Sequence, residues 1–311
     1  MNLTNGSKRK MSGNPVILPK PATVLPGRAF TELAKVHLSL YIALSALAGH
    51  VTAQGRIGGN SILLGGWVLF LACGAAVLNN IQDRQWDRDS LRTRHRVLVR
   101  KDVSLIHAKW LSAGLVLTGL GGLFFSFTSP LPVILGLAAI ISYNGLYTPI
   151  KKVSLWAMVP GTLCGMIPPA IGWTAVPGGI AAADTSGLLI LMAALAFWQL
   201  PHYLLVDLKQ RSCDPARPGF TRIWSAGEIQ CQVLIWTVLF SLCMVLFLIR
   251  GWVSTPWVRV MIFSAAVGLP LVMGGFLIRR NSRFYPGACF GLINLAMLLF
   301  LAGTALDRIQ F

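Results

Sequence analysis

Long apolar runs separated by short polar segments fill the chain from Glu32 onward. A helix that crosses the hydrocarbon core of a bilayer needs about 20 mostly apolar residues. By that measure the pattern predicts about nine spanning helices. They fall at residues 33–53, 60–82, 105–126, 131–148, 155–176, 185–206, 229–249, 257–278 and 285–304. Only helices and closed barrels satisfy their backbone in lipid, and runs of this length are helices, so the chain reads as an all-α polytopic membrane protein. Residues 1–28 contain no such run. They are polar, rich in Pro and Gly, and carry Lys8, Arg9, Lys10, Lys20 and Arg28. This segment reads as a disordered basic cytoplasmic tail, and residues 29–311 as a single membrane domain.

Composition supports this reading. Charged residues make up 12% of the chain and hydrophobic ones 55%, against about 25% charged in soluble proteins. A net charge of +17 would point to nucleic acid in a soluble protein. Here too few polar residues remain to build a soluble basic face, so nucleic acid is excluded as a partner and the lipid bilayer takes its place.

The placement of the charges is more informative than their sum. Arg84, Arg88, Arg92, Arg94, Arg96, Arg100 and Lys101 follow the second run, and Lys151 and Lys152 follow the fourth. Lys209, Arg211, Arg217 and Arg222 follow the sixth, and Arg279, Arg280 and Arg283 the eighth. The alternate connections carry little. Positive charge concentrates on the cytoplasmic side, which predicts a cytoplasmic N-terminus, an odd number of spans and an external C-terminus. Six cysteines show neither C-x-x-C nor zinc spacing. Cys73, Cys164, Cys231, Cys243 and Cys289 lie in apolar runs and read as small buried hydrophobes. Cys213 lies in a polar loop.

The densest chemistry is the stretch NNIQDRQWDRDSLRTRHR, Asn79 to Arg96, directly after the second run. Asn79, Asp83 and Asp87 are spaced four apart. If the helix continues past the apolar run, they share one face, and Asp89 falls off it. Two carboxylates on one face repel unless a cation joins them. Mg²⁺ is a hard cation that takes oxygen ligands, commonly one or two carboxylates plus substrate phosphates. The arginines alongside suit the phosphate oxygens. The bland alternative is a solvated juxtamembrane loop held by Asp–Arg pairs, which are worth little at a surface.

This stretch resembles the first aspartate-rich motif of the UbiA superfamily of intramembrane prenyltransferases. It is most similar to the protoheme IX farnesyltransferase (haem O synthase) branch, with its N-x-x-x-D-x-x-x-D followed by R-T-x-x-R. Asn79, Asp83 and Asp87 fill the first part, and Arg92, Thr93 and Arg96 the second. Further segments carry the resemblance. YNGLYTPIKK resembles the family's Y-T-P-L-K-R, with Tyr147, Thr148, Lys151 and Lys152. PGTLCGMIPPAIGW is similar to the branch's G-x-x-x-G-x-x-P-P-x-x-G-W. Its Gly161 and Gly165 have the spacing that lets helices approach closely, and the segment reads as packing and cavity shape. FWQLPHYLLVDLKQ resembles W-Q-x-P-H-F/Y through Trp198, Gln199, Pro201, His202 and Tyr203. Lys35 opens the first run where the branch carries a lysine, although Val36 and His37 replace its Pro-Arg. His50, at the other end of that run, reads as interfacial. The seventh to ninth runs carry no recognised motif.

The resemblance implies a UbiA-like bundle around a lipid-accessible cavity with its polar mouth on the cytoplasmic side of a bacterial inner membrane. It implies Asp83, Asp87 and Asn79 as the Mg²⁺ site and, with Lys151, the catalytic set. Arg92, Arg96, Lys152, Tyr147 and Lys35 would hold the diphosphate of a farnesyl or other polyprenyl donor. His202, Trp198 and Gln199 would bind the acceptor, protoheme IX in this branch. Asp207 and Asp214 are the acids available for a second metal site, but the sequence around 207–222 departs from the branch pattern. The implied product is haem O, destined for a terminal oxidase or a haem A synthase. An aromatic or quinone-precursor acceptor is the alternative within the family. A transporter is the alternative outside it, but would place charges near mid-span in broken helices.

Overall fold

The structure is a computed structural model. It describes residues 27–179, 181, 184–210, 219–278 and 286–309. The remaining part of the basic tail, Cys213, Asp214 and the 279–283 arginines lie outside the described residues.

Among the described residues, nine helices are long and apolar enough to cross a membrane. They are α1 (Val36–Gln54), α2 (Gly59–Asp89), α3 (Leu105–Ser126), α4 (Leu131–Ile150), α5 (Leu155–Thr174), α6 (Ser186–Gln210), α7 (Ala226–Ile249), α8 (Pro256–Ile278) and α9 (Pro286–Leu306). A short helix at Gly27–Leu33 precedes α1, and another at Val97–Arg100 precedes α3. Each span lies within a few residues of its sequence expectation. The exception is α2, which runs seven residues beyond its apolar stretch.

Neighbours in sequence mostly pack as neighbours in space, from the α2–α3 pair round to α8–α9. The exceptions are the α6–α9 pair and α1, which touches α2, α5, α6 and α9 and so ties the bundle together. Its contact with α5 is the closest. A Cβ on Gly49 would overlap the Pro169 carbonyl, and one on Gly172 would overlap that of Ala46. His50 is buried here, its Nδ1 3.0 Å from the Gly172 oxygen. It packs between helices near the end of α1.

Two cores flank the space within the bundle. One joins α6 to α9 around Phe240, Met244, Phe247 and Phe300. The other joins α1, α2, α3 and α5 around Leu64, Val68, Leu71 and Ile171. The outer faces are equally apolar: Phe125, Trp110 and Leu117 are exposed. Continuous apolar surface of this kind is not tolerated in water and is solvated by lipid. Cys231 is exposed, and Cys164 is half-buried where it lines the cavity within the bundle. An apolar span is apolar on both its lipid side and its core side, so hydropathy alone did not place these two thiols.

Candidate active site

α2 has 31 residues. At 1.5 Å per residue it is about 46 Å long, against a hydrocarbon core of about 30 Å. Its last turns therefore reach the polar boundary, and they carry Asn79, Asp83 and Asp87 along one face. All three are buried: 1%, 3% and 2% exposed. Asp89 points away, in an ion pair with Arg88 that leaves both side chains more than 70% exposed.

Buried carboxylates need partners, and each here has a cation. Lys151 Nζ lies 2.5 Å from Asp83 Oδ2, and Lys152 Nζ lies 3.2 Å from Oδ1. The second contact lacks hydrogen-bond geometry, so Oδ1 is a buried oxygen with no donor. Arg96 Nη1 lies 2.6 Å from Asp87 Oδ2. It gets there because the chain folds back after Ser90, where the Thr93 hydroxyl donates to the Asp87 carbonyl at 3.2 Å. Thr93 thus explains the R-T-x-x-R spacing: it closes the helix end and returns Arg96 to the carboxylate.

Asn79 links the remaining parts. Its Oδ1 accepts from Lys35 Nζ at 2.6 Å, and its Nδ2 donates to Thr148 Oγ1 at 2.9 Å. Lys35 sits at the junction into α1 with φ 46°, in the left-handed region. Such strain in a non-glycine residue is held by its surroundings and clusters at functional sites. Burial of its ammonium, with the Arg96 and Lys151 charges nearby, pulls the Lys35 pKa down to about 7.

The lysines at the end of α4 owe their position to a wide turn. Residues Ile141–Tyr147 form a π-helical stretch, a feature frequent at functional sites. Pro149 has no N–H to continue the α-helical ladder, and Thr148 N–H donates to Tyr143 O, five residues back. The Asn144 carbonyl left over accepts from Gln82 Nε2 at 3.0 Å. Tyr143 and Tyr147 stack at 5.7 Å, and Lys151 Nζ lies 5.3 Å from the Tyr147 ring centroid.

These groups form the polar mouth of a cavity of about 680 Å³. Asn79, Asp83, Arg92, Arg96, Lys151, Tyr147 and Lys35 line it, above a wall of Ile42, Val68, Leu71 and Ala75. Asp87 does not line it. It faces an adjoining crevice of about 260 Å³ that shares Lys35 and Arg96. Lys152 stands behind Lys151, its Nζ also donating to the Gln82 carbonyl at 3.0 Å. Two buried carboxylates, one with an oxygen that has no donor, and an amide oxygen are hard donors of the kind that would suit Mg²⁺. The cations outnumber the acids, as an anion site requires.

The other wall comes from α6 and α9. Trp198, Gln199, His202, Tyr203 and Asp207 line it with Met297 and Leu301. His202 is held between Trp198 and Phe290, at 4.9 and 4.6 Å between ring centroids. Its Nδ1 lies 3.2 Å from Asn294 Oδ1. Gly161 and Gly165 shape this cavity, in keeping with the reading of their segment as packing and cavity shape. A Cβ on Gly165 would displace the Gln199 amide, and one on Gly161 would meet the Tyr147 ring at 3.0 Å. Close helix contact falls to Gly172 of the same segment. Asp207 accepts the Thr221 N–H at 3.0 Å, anchoring the Phe220–Arg222 turn. Among the described residues no three of His, Cys, Asp and Glu come together; Asp207 lines the same cavity as Asp83. Asp214 lies outside the described residues.

Sequence reading named Thr148 only within its motif and missed Gln82, Asn144 and Asn294 as parts of this site. Gln82 lies within the aspartate motif, and Asn144 and Thr148 within YNGLYTPIKK, so their polarity was the available signal. Asn294 is a polar residue inside an apolar run, a signal in its own right.

Comparison with known proteins agrees with this architecture. The chain is 24% identical over 283 residues to the protoheme IX farnesyltransferase of Oleidesulfovibrio alaskensis, covering 91% of this chain and 97% of that one. It is 33% identical over 196 residues to that of Geobacter sulfurreducens, covering 63% and 70%. Its fold is similar to a UbiA homologue from Archaeoglobus fulgidus bound to GPP and Mg²⁺, with a TM-score of 0.63 at 12% identity, covering 90% of this chain and 99% of that one. Residues 38–302 match the model of the UbiA prenyltransferase family, which takes in all of the site described above except Lys35: the chain belongs to that family and is an integral-membrane prenyltransferase.

Proposed function

We propose that this protein transfers a farnesyl group from its diphosphate to a vinyl group of protoheme IX, giving haem O. The observation that carries the proposal is the pairing, in one cavity, of a cation-rich mouth around Asp83 with His202 on the facing wall. The first suits a prenyl diphosphate, as in the A. fulgidus homologue bound to GPP and Mg²⁺. The second suits an iron porphyrin, as the names of the relatives indicate. Residues 29–311 act as one membrane domain, with the mouth on the cytoplasmic side of a bacterial inner membrane and the C-terminus outside. The basic tail stays in the cytoplasm. The product would pass to a terminal oxidase or a haem A synthase.

Asp83, Asp87 and Asn79 would hold Mg²⁺. When bound, the ion supplies positive charge to the departing pyrophosphate. Lys151 and Arg96 neutralise the carboxylates without substrate and turn to phosphate oxygens with it, while Arg92 and Lys35 close on the same group from the rim. The C1–O bond breaks with its electron pair leaving on pyrophosphate, and the lysine and arginine donors stabilise that charge, commonly the largest catalytic contribution. The apolar wall of Ile42, Val68, Leu71 and Ala75 sheathes the prenyl chain and keeps water from the allylic cation. The vinyl π electrons form the new C–C bond. Water then adds to the resulting cation beside the porphyrin and loses a proton, giving the hydroxyethylfarnesyl group.

The test is a product assay. Purified protein with Mg²⁺, farnesyl diphosphate and haem is expected to yield farnesylated haem by mass spectrometry, and EDTA to stop it. Prenylation of a phenolic acceptor with no haem product would sink the haem assignment and leave the family standing.

A further inference from the structure

We infer that Asn294, on a helix without any recognised motif, is a positioning residue for the acceptor: it fixes which nitrogen of His202 is offered to the iron of the porphyrin. This rests on the haem reading above. The amide orientation is set from its far side. Asn294 Nδ2 donates to the Phe290 carbonyl, one turn back on α9, at 2.7 Å. Only nitrogen can make that bond, so Oδ1 is the atom that faces His202 Nδ1 at 3.2 Å. An amide oxygen only accepts, so Nδ1 carries the proton and Nε2 keeps its lone pair. Trp198 and Phe290 pack on the ring and limit its rotation. His202 lines the cavity, whereas Asn294 does not. A histidine ligand whose other nitrogen is tied to an oxygen has a fixed tautomer and orientation and is a better donor.

A polar link between α6 and α9 would by itself be ordinary helix–helix attachment. The two roles separate spectroscopically. Ferric haem is titrated into the purified full-length protein and followed by its Soret band. The wild type is expected to show a saturable shift that His202→Ala abolishes. Asn294→Leu, similar in volume but without an acceptor, is expected to weaken haem binding about 10- to 100-fold. Asn294→Asp, which keeps an oxygen on Nδ1, restores the wild-type spectrum. If the leucine variant does not fold, Asn294→Ala carries the same expectation. Wild-type affinity and spectrum in a folded Asn294→Leu or Asn294→Ala variant, with His202→Ala still defective, would overturn the inference and leave the haem reading intact. A wild type without a saturable shift, or a His202→Ala variant that matches it, would overturn both.

Discussion

At the mouth of the cavity, Asn79, Asp83 and Asp87 lie four residues apart on one helix, and their cations come from the following loop, from the end of α4 and, in Lys35, from the junction before α1. On the facing wall, His202 and Asn294 meet from helices whose contacting residues are 92 positions apart. The mouth is redundant: Asp83 has two lysines, and Arg96 and Lys35 each serve both the cavity and its side crevice. The facing wall has one histidine and one hydrogen bond to orient it. Redundant charge suits a task shared by every member of a diphosphate-using family, namely ionising the donor. On the proposed haem reading, a single oriented histidine suits the task that differs between members, choosing the acceptor.

The strongest challenge to this contrast is Asp83→Ala. It is expected to remove turnover with any acceptor, a loss of at least about 10³-fold, read as pyrophosphate release. Turnover kept with one acceptor and lost with another would erase the distinction between the two walls. His202→Ala is expected to lower haem prenylation by about 10²-fold, within the range for loss of a metal ligand's support, while the protein still releases pyrophosphate by slow hydrolysis of the donor. Loss of both reactions together would place His202 with the ionising machinery.

Gly165→Ala pushes on the Gln199 amide and so tests the acceptor wall by shape. It is expected to cost about 1–3 kcal/mol of overpacking, seen as a lower melting temperature in detergent, and to raise the KM for the acceptor more than that for the donor. Removing Arg88 and Asp89 together is expected to change stability by less than about 1 kcal/mol and to leave turnover at wild-type level, because their exposed pair lies off the face that carries Asn79, Asp83 and Asp87.

The mouth was legible because its three oxygen donors are local, although Lys35 and Lys151 reach them from 44 and 68 residues away. Spacing of four puts three oxygen donors on one face of any helix that continues, and the positive-charge bias marks which end of each span holds them. The facing wall was legible only in part. His202 stood out as an ionisable residue near the end of a span, but its partner could not be found from spacing. Nor could the π-helical stretch of α4, which depends on Pro149 and on Gln82 taking up the Asn144 carbonyl.

Sequence by itself determined the number of spans, their orientation relative to one another and the helix face that carries the aspartates. These follow from hydropathy, charge and helical period, all of which act over a few turns. Tertiary structure decided that Asp83 lines the cavity while Asp87 faces the crevice beside it, and that Gly165 makes room for Gln199. It also decided that Asn294 holds His202. Those outcomes depend on which helices touch, and in a bilayer apolar faces pack against lipid and protein alike. Hydropathy therefore cannot choose among the possible neighbours. Close backbone approach at Gly49 and Gly172 and buried polar contacts between helices make that choice.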